Sequence, residues 1–115
     1  EKEDVIELSG MVIFNFYKSD GLNKKSILSC EKSIINNSTN IMIANENVIL
    51  IGQNNQQLST EQLIWDRNTD LIYTDLEVII RTEDEIISGI GFQSTPDFSE
   101  YEIKKVKGSF SLEKD

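Results

Sequence analysis

Histidine is absent from the 115 residues, and cysteine, proline, alanine and tryptophan occur once each. Without histidine the chain lacks the commonest metal ligand and the commonest general base, so no histidine triad or histidine-rich metal cluster is available. The single thiol, Cys30, closes no internal disulfide, and compartment is not readable from it. One alanine (Ala44) and one proline (Pro96), in a chain whose commonest apolar residue is isoleucine, favour β structure over helix. No apolar run is long enough to cross a bilayer as a helix. No signal peptide is written at Glu1, where the chain starts abruptly, and a removed leader or anchor is compatible with that start. Cations are scarce: 11 Lys and Arg stand against 20 Asp and Glu, a net charge of −9. That balance argues against nucleic acid, whose phosphates are held by clustered cations. An apolar ligand is compatible with it.

What is present is a repeat. A shift of 30 residues lays Leu28 on Leu58, Ser29 on Ser59, Glu31 on Glu61, Ile34 on Ile64, Thr39 on Thr69, Val48 on Val78 and Ile49 on Ile79 without a gap. Asn36/Asp66, Asn40/Asp70, Ile41/Leu71 and Asn45/Asp75 are conservative pairs. A period of this size marks stacked units, each unable to bury its apolar face alone. Each unit reads as strand, turn and strand: residues 28–35, 40–44 and 48–51 in the first, and 58–65, 71–74 and 78–81 in the second. Before them lies an alternating run, residues 5–17, interrupted at Ser9-Gly10, with a turn at Ser19-Asp20-Gly21. After them a degenerate third copy starts at Ile86, breaks around Pro96, and ends in a strand at 101–106. One domain, residues 1–108, is expected, with a frayed polar tail at 109–115.

Period two slips at matching places. Leu58 and Thr60 share a face, and so do Leu63 and Trp65, which implies one extra residue between Thr60 and Leu63. Cys30 to Ser33 slips likewise, and so does Gly89 to Phe92. Aligned β-bulges bend a sheet along a line. The sheet is therefore expected to fold into a V or flattened jelly roll with two apolar inner faces. The inward set is Val12, Phe14, Leu28, Cys30, Ile35, Val48, Leu50, Leu58, Leu63, Trp65, Val78, Ile80 and Phe92. Such a lining suits acyl chains, and it equally suits a closed sandwich core.

Catalytic chemistry finds no support. Gly89-Ile90-Gly91 has no helix after it, and the acidic pairs fall at turns. The chain is read as non-enzymatic, with no cofactor and no metal. Cys30 is a small buried filler. The basic run at 103–107 (IKKVK) reads as lysine protection of an edge strand, with a phosphate or acidic partner as the alternative.

The segments LSTEQLIWDR at 58–67, IYTD at 72–75, VII at 78–80 and GIGF at 89–92, followed by DFS at 97–99 and YEI at 101–103, resemble the LptC family of lipopolysaccharide export. More broadly they resemble the OstA-like fold shared by LptA, LptC and the N-terminal part of LptD. The likeness extends from about Leu28 to Gly108, and it departs at Glu46-Asn47-Val48, where the family often has Gly-Asn-Val. It implies an all-β, twisted, V-shaped antiparallel jelly roll. It implies carriage of lipopolysaccharide or a similar glycolipid across the periplasm, with acyl chains on the thirteen inward residues. It further implies edge-strand pairing with an LptA-like module and an inner-membrane ABC transporter, and an inner-membrane anchor in an N-terminal segment absent from this chain. The strands near 11–17 and 101–106 are the edges expected to pair, and a homo-oligomer through the same edges is an option. Two other readings stand beside it: a closed β-sandwich adaptor of the envelope without lipid, and a carbohydrate-binding sandwich using Trp65, Tyr73 and Tyr101.

Overall fold

β-Branched residues at alternate positions, set between Asn- and Asp-rich turns, give seven strands. A computed structural model describes residues 4–17 and 24–112. The expected turn at Ser19-Asp20-Gly21 lies outside the described residues. The strands are β1 (Val5–Tyr17), β2 (Lys24–Asn36), β3 (Ile41–Ile51), β4 (Gln57–Asp66), β5 (Leu71–Arg81), β6 (Glu85–Ser94) and β7 (Tyr101–Ser111). They form one antiparallel sheet in sequence order, with β1 and β7 as its two open edges. The described helical content is a single three-residue turn, Gln53–Asn55, between β3 and β4.

The repeat is visible atom by atom. Asn36 Oδ1 accepts from the N–H of Ser38 at 2.9 Å and of Thr39 at 3.2 Å, closing the β2–β3 turn. Asp66 Oδ1 does the same for Asn68 N at 2.9 Å in the β4–β5 turn. Both turns then pass through a left-handed residue, Asn40 (φ 60°) and Asp70 (φ 57°). Short side chains that bond their own backbone are the ones that tolerate this geometry. The two turns are laced together, Asn68 Nδ2 donating to Thr39 O at 2.9 Å and Arg67 Nη2 to Asn37 Oδ1 at 3.2 Å.

The strand register breaks along a line. Pairing is interrupted between Ser9 and Val12 in β1, Ser29 and Lys32 in β2, and Asn45 and Val48 in β3. It is interrupted again between Ser59 and Ile64 in β4, Thr74 and Glu77 in β5, and at Ser88/Gly89 in β6. The slips expected at Cys30–Ser33 and Thr60–Leu63 lie on this line, as does the one near Gly89. The apparent strand ends at Asn45-Glu46-Asn47 and Asp75-Leu76-Glu77 also lie on it. Read from sequence as gaps between strands, they are bulges within continuous β3 and β5, because a bulge residue and a turn residue share the same polar character. The last strand also differs from expectation. It runs past Val106 and Gly108 to Ser111, with Phe110 opposite Ile86.

The line is a crease. In a flat sheet β1 and β4 are three ladders apart, about 14 Å. Yet the rings of Phe16 in β1 and Trp65 in β4 meet edge to face at 4.9 Å. Ser26 in β2 donates to Pro96 O, beyond β6, at 2.6 Å. Each strand therefore bends at its bulge and contributes to two leaves of a V. The upper leaf holds the strand halves next to the turns at 52–56 and 82–84. The lower leaf holds the halves next to the turns at 37–40, 67–70 and 95–100.

Candidate functional site: the space between the leaves

Cross-strand partners project from the same side of a sheet, so the register defines rows. In the upper leaf Phe14, Leu28, Leu50, Leu58, Ile80 and Ile87 stand opposite one another in successive strands. In the lower leaf the row is Ile6, Ile35, Met42, Trp65, Ile72, Ser94 and Tyr101. Val12, Cys30, Val48 and Val78 line the crease from above, and Ser33, Ala44, Leu63 and Phe92 line it from below. All thirteen residues of the expected inward set belong to one apolar cluster. Ten are buried, and Phe14, Ile35 and Trp65 are half-buried at its margin.

Sequence reasoning left out Phe16, Met42, Ala44, Ile72 and Phe98, which are buried in the same cluster. The signal for two was in the repeat, since Met42 and Ile72 are 30 residues apart. Phe16 continues the alternation of Val12 and Phe14. Phe98 sits in a loop at φ 61°, where no periodicity could find it.

The centre of this space is filled. Leu50, Leu58, Ile80, Phe92 and Phe98 have no exposed surface. Its buried hydroxyls mostly bond to backbone, Thr60 Oγ1 donating to Glu77 O at 2.8 Å and Ser94 Oγ to Thr95 O at 2.7 Å. Thr74 Oγ1 accepts from Leu76 N at 3.1 Å, which fixes the β5 bulge. Ser33 Oγ, beside the crease, has no hydrogen-bond partner. Burial pushes the Cys30 thiol above its ordinary range, opposed by backbone hydrogen bonds from Asn45 and Lys32. A thiol held neutral behaves as a small apolar filler, as expected for it.

Toward the edges the rows are bare. Ile6 and Leu8, the β1 members of the two lower rows, are 43% and 38% exposed. Across the sheet Val106, opposite Gly89 and in line with Val78, is 58% exposed. An opening lies at the seam, where Trp65 Nε1 donates to Asp70 Oδ1 at 3.3 Å and the Arg67 guanidinium lies 5.8 Å from the Trp65 ring centre. A cleft of about 410 Å³ runs there between Tyr17, Trp65 and Pro96. The three aromatics of the carbohydrate reading do not form a platform. Trp65 and Tyr101 are in the inward row, while Tyr73 pairs with Gln93 on the other face.

An all-β sheet creased at matching bulges, apolar inside and open at both edges, is the arrangement that the sequence resemblance implies. A family model for LptC-related lipopolysaccharide-assembly proteins matches residues 1–111. The chain belongs to that family. No curated protein sequence matches it. LptC-related proteins take part in lipopolysaccharide transport on the periplasmic side of the envelope. Among the described residues of this LptC-related chain, no helix is long and apolar enough to cross a membrane.

Proposed function

We propose that this domain carries lipopolysaccharide or a similar envelope glycolipid without chemical change, its acyl chains lying along the inner rows. Neighbouring modules, an LptA-like periplasmic protein and an inner-membrane ABC transporter, join it through the edge strands β1 and β7. An N-terminal segment outside this chain anchors it to the inner membrane. One observation carries the reading: the apolar rows extend, uncovered, to both edge strands at Ile6, Leu8 and Val106. A neighbour paired to either edge would continue the rows into its own interior. Each acyl methylene buried on such a surface contributes about 0.8 kcal/mol, so many weak contacts suffice. All thirteen inward residues contribute to the lining, with Ile35 and Trp65 at its open margin.

A second reading, a closed β-sandwich adaptor without lipid cargo, is favoured by the filled centre. It treats Ile6, Leu8 and Val106 as protein-contact residues only. Alternation along one hairpin provides the test. Photo-crosslinking residues at Ile6 and Ile35 face inward, while the same residues at Glu7 and Ile34 face outward on the same two strands. In cells, adducts with lipopolysaccharide are expected at the first pair and not the second. Equal labelling of both pairs, or none at the inward pair, would leave the adaptor reading standing.

A further inference from the structure

Among the buried apolar residues described, Phe98 alone lies outside a strand. It belongs to the loop between β6 and β7, residues 95–100, which lies across the mouth of the V. The loop is knit to itself. Thr95 N donates to Glu100 O at 3.1 Å, and Phe98 N donates to Thr95 O at 2.9 Å. Asp97 Oδ1 accepts from Thr95 Oγ1 at 2.7 Å, Ser99 N at 2.9 Å and Ser99 Oγ at 2.6 Å.

Its described ties reach the upper leaf at Ser26 and at Gly52. Ser26 Oγ donates to Pro96 O at 2.6 Å. The Phe98 ring enters the interior edge-on to Phe92, with centroids 5.8 Å apart, and rests on Tyr101 at 5.2 Å. At the upper end of β3 it meets Gly52, where a methyl group would stand 3.1 Å from Phe98 Cβ and 3.2 Å from Cδ2. Gly52 has an ordinary extended φ of −102°, so its backbone does not require glycine. The close approach of Phe98 makes an added methyl tight, so that the ring has to give by a few tenths of an ångström. Phe98 itself, at φ 61°, holds a left-handed conformation that bulky side chains rarely adopt. A loop hydrogen-bonded to itself and a strained residue inserted between the leaves make a unit that can be displaced whole.

From this we infer that residues 95–100 are a self-docked cap. Phe98 occupies apolar space that an acyl chain takes when the cap swings out. The inference rests on the lipid-carriage reading, and it accounts for how a filled centre admits cargo. Every other buried apolar side chain described lies within a strand, whereas Phe98 leaves without breaking one. Displacement relieves the left-handed backbone; its costs include the Ser26–Pro96 bond and the ring contacts, and incoming methylenes replace the latter.

The purified domain, Phe98→Ala and Gly52→Ala would be titrated with phenylnaphthylamine, an apolar fluorophore, with Ile90→Ala on the outer face as control. Phe98→Ala vacates the space, and Gly52→Ala crowds the docked ring with its added methyl. Both are expected to bind the dye about tenfold more tightly than the parent, with the control unchanged. Equal affinity in all four folded proteins overturns the cap and leaves the crosslinking result for lipid carriage to stand or fall alone. Should the substitutions unfold the domain, Phe98→Cys in a Cys30→Ser background reads the same motion. Its thiol is expected to react slowly alone and about tenfold faster with monomeric dodecyl maltoside. A rate unmoved by saturating detergent overturns the cap.

Discussion

In β3, β4 and β5 the inward side chains Leu50, Leu58 and Ile80 expose nothing, while in β1 and β7 the inward Ile6, Leu8 and Val106 keep 38–58% of their surface in solvent. The residue types are the same. What differs is how many neighbours the fold supplies. A middle strand is bonded on both sides and covered by the opposite leaf, and that cover comes from strands several places along the sheet. Phe16 of β1 is covered by Trp65 of β4, and Ser26 of β2 by the loop after β6. Among the described residues, the lower half of β1 and the upper half of β7 have no strand so placed. Their bareness follows from where a creased meander of seven strands begins and stops, and a paired neighbour is what would remove it.

Truncation gives the widest separation between the two regions. Leu58→Ala is expected to cost about 2–5 kcal/mol in urea unfolding, because the surrounding rows cannot collapse into the void. Ile6→Ala and Val106→Ala should each fall within about 0.5 kcal/mol of the parent, as exposed positions do. Equal costs at Leu58 and Val106 would mean that the edge rows are covered in solution.

A smaller effect separates the edge from the middle at the crease itself. A methyl group on Gly89 would stand 2.5 Å from Ile103 Cγ2 and 2.7 Å from the backbone oxygen of Lys105. A side chain can turn aside, but the carbonyl moves only if β7 moves. Gly89→Ala should therefore cost roughly 1–3 kcal/mol. Amide exchange should quicken across β7 and its ladder with β6, while β2 to β5 keep their protection. Uniform loss of protection would show that β7 is part of the core and not an edge laid upon it.

The sealed region was also the legible one. Alternation and the 30-residue shift locate the thirteen inward residues because a buried face must repeat with the pleat. The parity slips in β2 and β4 locate the crease for the same reason. The matching bulges in β3 and β5 read as strand ends, since Asn45-Glu46-Asn47 and Asp75-Leu76-Glu77 are as polar as a turn and only the partner strands reveal continuity. Residues 109–111 look like tail by composition and are strand because Ile87 and Ile86 lie opposite Ser109 and Phe110. Phe98 and its contact with Gly52 join residues 46 apart through a loop, and no local pattern records such a pair.

The smallest expected effect concerns how the crease is made. In β1 and β6 it passes through glycine with positive φ, Gly10 at 93° and Gly91 at 82°. In β3 it passes through Glu46 at 66° and Asn47 at 51°. Asparagine tolerates the left-handed region, but glutamate has no such allowance and its Cβ costs about 1–2 kcal/mol there. Glu46 also makes an exposed ion pair, Lys32 Nζ to Oε2 at 3.1 Å, worth at most about 1 kcal/mol and screened by salt. Replacement by glycine removes both terms and adds chain entropy to the unfolded state, so its sign alone would be uninformative. Comparison with alanine isolates the backbone, because both substitutions delete the ion pair and only one keeps Cβ. Glu46→Gly is expected to exceed Glu46→Ala by about 1 kcal/mol, equally at low and high salt. If the two were equally stable, the bend in β3 would be held by its hydrogen bonds at no conformational cost, unlike those in β1 and β6 that use glycine.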